Sequence, residues 1–439
     1  HAELQGQGLQ PRGPAPTRQG LRVAITGNLR NVGGKGARQA TVRLVTRTAT
    51  PQELGTQRVD LPAGASKAVS FQFDSTPYDG DVPLALEVAT AGKELCLRDN
   101  RLAFSVPVAP DWSLWDGRLD LTVKAEAALH RPLARFPFDM AAERTRRGLK
   151  GDGDPDSLRV VLTDSAAQCL AQLVPSVSSG AELVFQLPHD MRPGDTLSCR
   201  VYFDRAVPKR HRQTAASCWQ ADRTTYDNGT YSVRFVEGYI RAVRVGPLQI
   251  MANLGTSSKD TGWVDEQGEV QSFEVLSDGP ICTVIRVQKK MANNHAHEKL
   301  YTFTPDYFTV QVLSPEIYGT MSRAYYMADA DYEDDKGNKA RIDGKGDAEN
   351  VSGRNPGPQW YATWGPTWAI NGIPVTPFAN VGYWDGGSKA GLGFTGGQTK
   401  PGQTVAYFIH VLKEGTPPAT ELAKGDRQQM LKPLVVTRQ

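Results

Sequence analysis

His295-Ala296-His297-Glu298 stands directly before the alternating run Lys299-Leu300-Tyr301-Thr302-Phe303. In an extended chain successive side chains point to opposite faces, so the two imidazoles would share one face and Glu298 would take the other. Paired imidazoles can hold a metal or move protons near neutral pH. With Asn293-Asn294 ahead of them, a solvated loop accounts for the same residues. Further on, Arg323-Ala324-Tyr325-Tyr326 offers a guanidinium to neutralise a carboxylate and phenols to act as acid or base, which is the equipment of a polysaccharide lyase. Tyrosines packed at a sheet edge are the plainer alternative. His295, His297, Arg323, Tyr325 and Tyr326 are therefore the candidate catalytic residues.

Two further groups could bind rather than react. Asp329, Asp331, Glu333 and Asp335 fall in the densest acidic run, and alternate carboxylates suit Ca²⁺, a cation that wants many oxygen ligands. The run lacks the glycine that an EF-hand loop needs, and a solvated acidic loop would look the same. Trp360, Tyr361, Trp364 and Trp368, followed by Tyr383 and Trp384, form an aromatic cluster. Indole faces stack on the C–H faces of sugars. Gly357-Pro358 and Gly365-Pro366 between these rings suggest exposed loops, whereas core aromatics of a β-sandwich are the competing reading. As substrate-binding residues the cluster contributes Trp360, Tyr361, Trp364, Trp368 and Trp384.

The elements that must position these side chains are strands. Short alternating runs recur at 21–28, 41–45 and 68–73, then at 157–163, 181–187 and 197–203, each broken by Gly, Pro or Asn. From 231 onward the runs lengthen, and Leu276-Ser277-Asp278-Gly279-Pro280-Ile281 reads as a hairpin. The best helix pattern covers 138–150, with Asp139 as its cap and Gly151-Asp152-Gly153 as its end. The 43 glycines and 29 prolines among 439 residues fit a chain of many turns, and the fold class expected is all-β. A net charge of +3 and no basic stripe interleaved with aromatics argue against nucleic acid. No apolar run reaches the ~18 residues of a membrane span. The five cysteines, Cys96, Cys169, Cys199, Cys218 and Cys282, make no C-x-x-C pair and no zinc spacing, and the one disulfide considered is Cys199–Cys218.

Residues 1–19 have no periodicity and read as an arm or linker. After it, Leu29-Arg30-Asn31-Val32-Gly33, Val59-Asp60-Leu61-Pro62-Ala63-Gly64 and Arg98-Asp99-Asn100-Arg101 together resemble a CARDB domain over 20–108. That resemblance implies an immunoglobulin-like sandwich, a secreted protein and a spacing or adhesive role. The segment Asp154-Pro155-Asp156-Ser157-Leu158-Arg159-Val160-Val161, with Arg200-Val201-Tyr202-Phe203-Asp204, resembles a sandwich segment of large bacterial polysaccharide-processing proteins. The long strands that follow are similar to the galactose-mutarotase-like super-sandwich, assigned to 111–439 with a sub-boundary near 205–230. No α/α barrel, the usual partner of such a sandwich in many lyases, accompanies it. The function these resemblances imply is a secreted, carbohydrate-related protein that binds or processes a polysaccharide; as an enzyme it would be a lyase or glycoside hydrolase. The rival is an extracellular structural protein, a surface-layer or filament subunit, that self-assembles when the 1–19 arm adds a strand to a neighbour's sheet.

Overall fold

A computed structural model of the chain describes residues 2–5, 22–31, 36–47, 51–75, 78, 80–90, 100–108, 112–150, 153–176, 180–205, 218–220, 224–257, 268–279, 281–291, 296–314, 317–318, 321–326, 329–343, 359–376, 380–385, 390–395, 398–399 and 401–439. It is an all-β protein, with strands in antiparallel sheets and two α-helices among the described residues. The chain divides into two compact units, one of His1–Gly117 with Asp204–Gln213 and one of Arg118–Phe203 with Thr214–Gln439.

The first unit is a β-sandwich. One sheet has the order Ala2–Gln5, Arg22–Asn31, Ser66–Asp74, and the other Glu53–Leu61, Ala37–Thr46, Gly80–Ala89, Arg101–Val108. Strand Arg22–Asn31 alternates strictly, burying Val23, Ile25 and Leu29 against Val42, Leu44, Phe71 and Leu84. The Leu61-Pro62-Ala63-Gly64 reversal is closed by Gly64 N–H donating to the Asn31 carbonyl at 2.9 Å, and Gly64 sits at φ +74, where a Cβ would be strained. The first residues of the arm pair with the unit's own sheet, Ala2 opposite Asn31 through Gln5 opposite Asn28.

The second unit holds two β cores. The smaller is built on a seven-stranded sheet that runs from Val435–Arg438 through Trp115–Lys124, Thr196–Arg205, Arg159–Leu162, Gln168–Ser176 and Gly180–Gln186 to Leu133–Pro137. Leu121, Val123, Val160, Leu183, Phe185, Val201 and Phe203 from these strands meet in one core. Helix Met140–Arg146 is capped as expected, Asp139 accepting from Ala142 N–H at 3.0 Å. It stops earlier than the sequence pattern suggests, because Gly148 takes φ +70 and ends the turn.

The larger core lies between a seven-stranded and a nine-stranded sheet. The first has the order Thr225–Asp227, Ser232–Val236, Tyr239–Val245, Leu248–Ser257, Met321–Tyr326, Ala390–Thr395, Asn380–Asp385. The second has the order Gly268–Asp278, Thr283–Met291, Ala296–Phe303, Tyr307–Val312, Thr404–Val411, Trp368–Pro374, Tyr361–Trp364, Ala330–Asp334, Lys339–Ile342. Phe235, Tyr301, Phe303, Phe308, Tyr332, Tyr361, Trp368 and Tyr407 fill the space between them. Each such ring removes roughly 150–250 Å² from water, about 4–6 kcal/mol before chain entropy is set against it.

On the outer face of the nine-stranded sheet two things are packed. Helix Ala419–Leu431 covers strands Trp368–Pro374 and Tyr361–Trp364; Ala419, Ala423 and Asp426 are its buried residues. Asp426 Oδ2 accepts from Asn371 Nδ2 at 2.7 Å and lies 2.9 Å from His410 Nε2. Farther along, Val174 and Val184 of the small sandwich pack on Ile281, Cys282, Val284 and Leu300. Gln172 fastens this junction. Its Oε1 accepts from the backbone of Ile281 (3.1 Å) and Cys282 (3.0 Å), and its Nε2 donates to Ser277 Oγ (2.7 Å) and the Cys282 carbonyl (2.8 Å). A Cβ on Gly279 would come within 2.6 Å of the Gln172 amide, so only glycine admits the clamp. Gln172→Ala takes the acceptor from the buried Ile281 and Cys282 N–H groups and is expected to cost the second unit about 2–3 kcal/mol, read from its urea midpoint. An unchanged midpoint would show the junction to be held by the apolar contacts alone.

The Cys199–Cys218 disulfide does not form. Neither thiol is in a disulfide, nor is that of Cys169 or Cys282; Cys199 belongs to the small core while Cys218 packs against the large one. Cys96 lies outside the described residues. Burial pushes the Cys169, Cys199 and Cys282 thiols up to about 12. At pH 8 only about one in ten thousand of each is then the reactive thiolate. A disulfide reagent at that pH should modify no more than two of the five cysteines quickly in the native protein and all five in urea; three fast native thiols would contradict this burial.

Candidate functional site

The site begins with the alternation of two neighbouring strands. Thr283–Met291 and Ala296–Phe303 pair with Arg286 opposite Leu300 and Gln288 opposite Glu298. Ile285, Val287, Tyr301 and Phe303 point into the large core. Arg286, Glu298 and Leu300 therefore stand on the outer face, joined there by Gln311 from Tyr307–Val312, which is opposite Leu300. The end of the small sandwich overhangs this face. The result is a cleft of about 490 Å³ with walls of Pro175, Leu276, Leu300, Leu313, Pro401 and Gly402, and a polar floor of Arg286, Glu298 and Gln311 with Ser176 at its rim.

The floor has hydrogen-bonding capacity left over. Arg286 Nε donates to Glu298 Oε1 at 2.5 Å, and that is the guanidinium's single partner among the described residues. Its Nη1 and Nη2, the second Glu298 oxygen and the Gln311 amide make no hydrogen bond among the described residues. The Arg286 side chain is 40% exposed and that of Glu298 22%, so the ion pair is partly solvated and contributes about 0–1 kcal/mol. A ligand can share these groups at little cost. Gly402, at φ +89, turns the chain at the cleft edge and donates to the Val312 carbonyl at 2.7 Å.

The residues singled out from the sequence are distributed otherwise. His297 is buried on the core face with Nδ1 3.3 Å from Ser314 Oγ, while Glu298 faces the cleft, so the extended reading of this motif separates them as alternation requires. His295 lies outside the described residues. Arg323, Tyr325 and Tyr326 belong to strand Met321–Tyr326 of the seven-stranded sheet, across the sandwich from the strand that carries His297.

The expectation of exposed aromatic loops is corrected. Tyr361 and Trp368 are 0% and 1% exposed in the large core, and Trp360 at 7% packs with Ala419 and Ala423 of the covering helix. Trp364 is half-buried against the same cluster. The glycines that suggested loops are instead places of close approach: a Cβ on Gly372 would meet the Tyr361 ring at 2.2 Å, and one on Gly365 would meet Trp368 Nε1 at 2.5 Å. Trp384 is on strand Asn380–Asp385, and its side chain lies outside the described residues.

The acidic run is corrected likewise. It forms strand Ala330–Asp334, and its carboxylates face cations of the next strand rather than one another. Asp331 Oδ1 is 2.9 Å from Arg341, Asp329 Oδ2 3.6 Å from Arg341, and Glu333 Oε2 3.2 Å from Lys339. Asp335 accepts from Gln359 N–H at 2.9 Å and pairs with Lys336. Among the described residues no three His, Cys, Asp or Glu side chains gather as a metal site. Arg286 and Gln311, the central groups of the cleft, were not singled out from the sequence. Their only signal is a polar position in an alternating strand, shared by every solvent-facing residue of the sheet.

Fold and cleft together define a two-unit, all-β sandwich protein with a polar-floored groove on the outside of its large sheet. No protein-family model and no curated protein matches the chain. Among solved structures it is similar to one titled as a protein in the glycosyl hydrolase family 38 from Enterococcus faecalis, at 8% identity and a TM-score of 0.47. The likeness covers 75% of this chain and 48% of that one, so the chain spans about half its length.

Proposed function

We propose that the second unit binds a saccharide chain in the outer-face cleft, with the CARDB-like first unit as a spacer or adhesive module of an extracellular protein. The observation that carries this reading is the unspent hydrogen-bonding capacity of Arg286, Glu298 and Gln311 between apolar walls. A sugar ring presents hydroxyls that both donate and accept, and C–H faces that prefer apolar surface. A guanidinium donates, a carboxylate accepts and an amide does both, and Leu276, Leu300 and Leu313 supply the apolar contact. The cleft's described lining has one carboxylate, Glu298, where glycoside hydrolysis in its usual form uses two. Binding is thus the activity the geometry supports best.

Affinity electrophoresis through gels containing a panel of polysaccharides tests this. Reducing ends and the absorbance of unsaturated uronates, followed on the same panel with and without EDTA, report hydrolysis and elimination. Retarded migration in at least one glycan gel is expected. Unretarded migration in all of them would overturn the reading.

A further inference from the structure

We infer that the saccharide taken by this cleft is uncharged, and that acidic glycans are disfavoured there. The inference rests on the binding reading above and adds to it the charge of the ligand. Arg286 is the one cation among the described lining residues, and it is already shared. Glu298 is in contact with it at 2.5 Å. Glu274 stands directly opposite it on strand Gly268–Asp278, on the same face, and directly opposite residues have Cβ atoms about 5 Å apart. Arg286 and Glu298 cancel within the floor, and Glu274, just outside the lining, adds a formal charge of −1 beside it.

The other charges around it do not reverse that sum. Lys290 is opposite Glu269 in the register of the same two strands. Arg135 and Glu182, on the small sandwich, are paired at 3.1 Å. Lys289 and Lys299 are buried on the core face of the sheet, one of them donating to the Glu237 carbonyl. A uronate carboxylate entering the cleft would gain Arg286 but also meet Glu298, with Glu274 standing opposite Arg286 on the neighbouring strand. A neutral sugar meets no such repulsion, and its adjacent hydroxyls can accept from Arg286 Nη and donate to the free Glu298 oxygen.

A polyuronate and its carboxyl-reduced form, identical in linkage and different in charge, separate the outcomes. Binding is compared at ~10 mM salt, where the Debye length is about 30 Å and the field is felt. The reduced, neutral form is expected to retard the protein about threefold more strongly than the acid form. Glu274→Gln, outside the cleft lining, should strengthen retardation by the acid form about threefold, the effect of one charge removed at ~7 Å in water, and leave the neutral form unchanged. Equal or stronger retardation by the acid form would overturn this inference while leaving saccharide binding intact. Retardation by neither form, nor by any glycan of the wider panel, would remove the binding reading and this inference with it.

Discussion

Trp368→Ala is expected to lower the unfolding free energy of the second unit by about 3–5 kcal/mol, the range for truncating a buried Phe or Trp. Trp368 is 1% exposed and lies in the core between the two large sheets, in the same cluster as Tyr361, Tyr332 and Ile370. Strand Trp368–Pro374 is buried along its whole length, so the surroundings have little freedom to collapse into the void. Urea denaturation followed by fluorescence reads the shift directly. A loss below about 1 kcal/mol would mean that the ring is not the core element described here. Its size also separates two roles for these aromatics. A sugar platform would lose binding on substitution and keep stability; a core ring loses stability first.

Arg286→Ala has the opposite signature. It removes the only guanidinium among the floor's described residues, and hydrogen bonds to charged groups are worth about 1.5–3 kcal/mol each, so glycan affinity should fall roughly 10- to 100-fold. Stability should hardly change, because a partly solvated ion pair contributes about 0–1 kcal/mol. Isothermal titration with the best-retained glycan, alongside a thermal melt, checks both halves. Undiminished affinity would move the ligand away from this floor. A melting temperature lowered by many degrees would make the Arg286–Glu298 pair structural.

Much of the local structure was legible in the sequence. Strict alternation places Val23, Ile25 and Leu29 inside the first unit and parts His297 from Glu298. Asp139 announces its helix, and Leu61-Pro62-Ala63-Gly64 its turn. Other features depend on facts that alternation does not contain. Both faces of strand Trp368–Pro374 are buried, one by the opposing sheet and one by a helix some fifty residues later, so its aromatics cannot be sorted into core and surface from their spacing. Glycine beside an aromatic signals a loop or a close approach equally well, and at Gly365 and Gly372 it is the approach. The acidic run was judged without its partner strand. Asp331 opposite Arg341 and Glu333 opposite Lys339 are pairs across a tight turn, visible once the turn is recognised. The cleft was out of reach because its two sides, residues 175–176 and 276–313, meet only through the packing of two separate cores.

Hydrogen–deuterium exchange with and without a bound glycan tests the central claim most directly. Protection should appear at 174–176, 298–300, 311–313 and 401–402, the segments that line the cleft. Protection confined to strands Tyr361–Trp364 and Trp368–Pro374, or to Met321–Tyr326, with the cleft segments unchanged, would contradict it and return the ligand to the residues first singled out in the sequence.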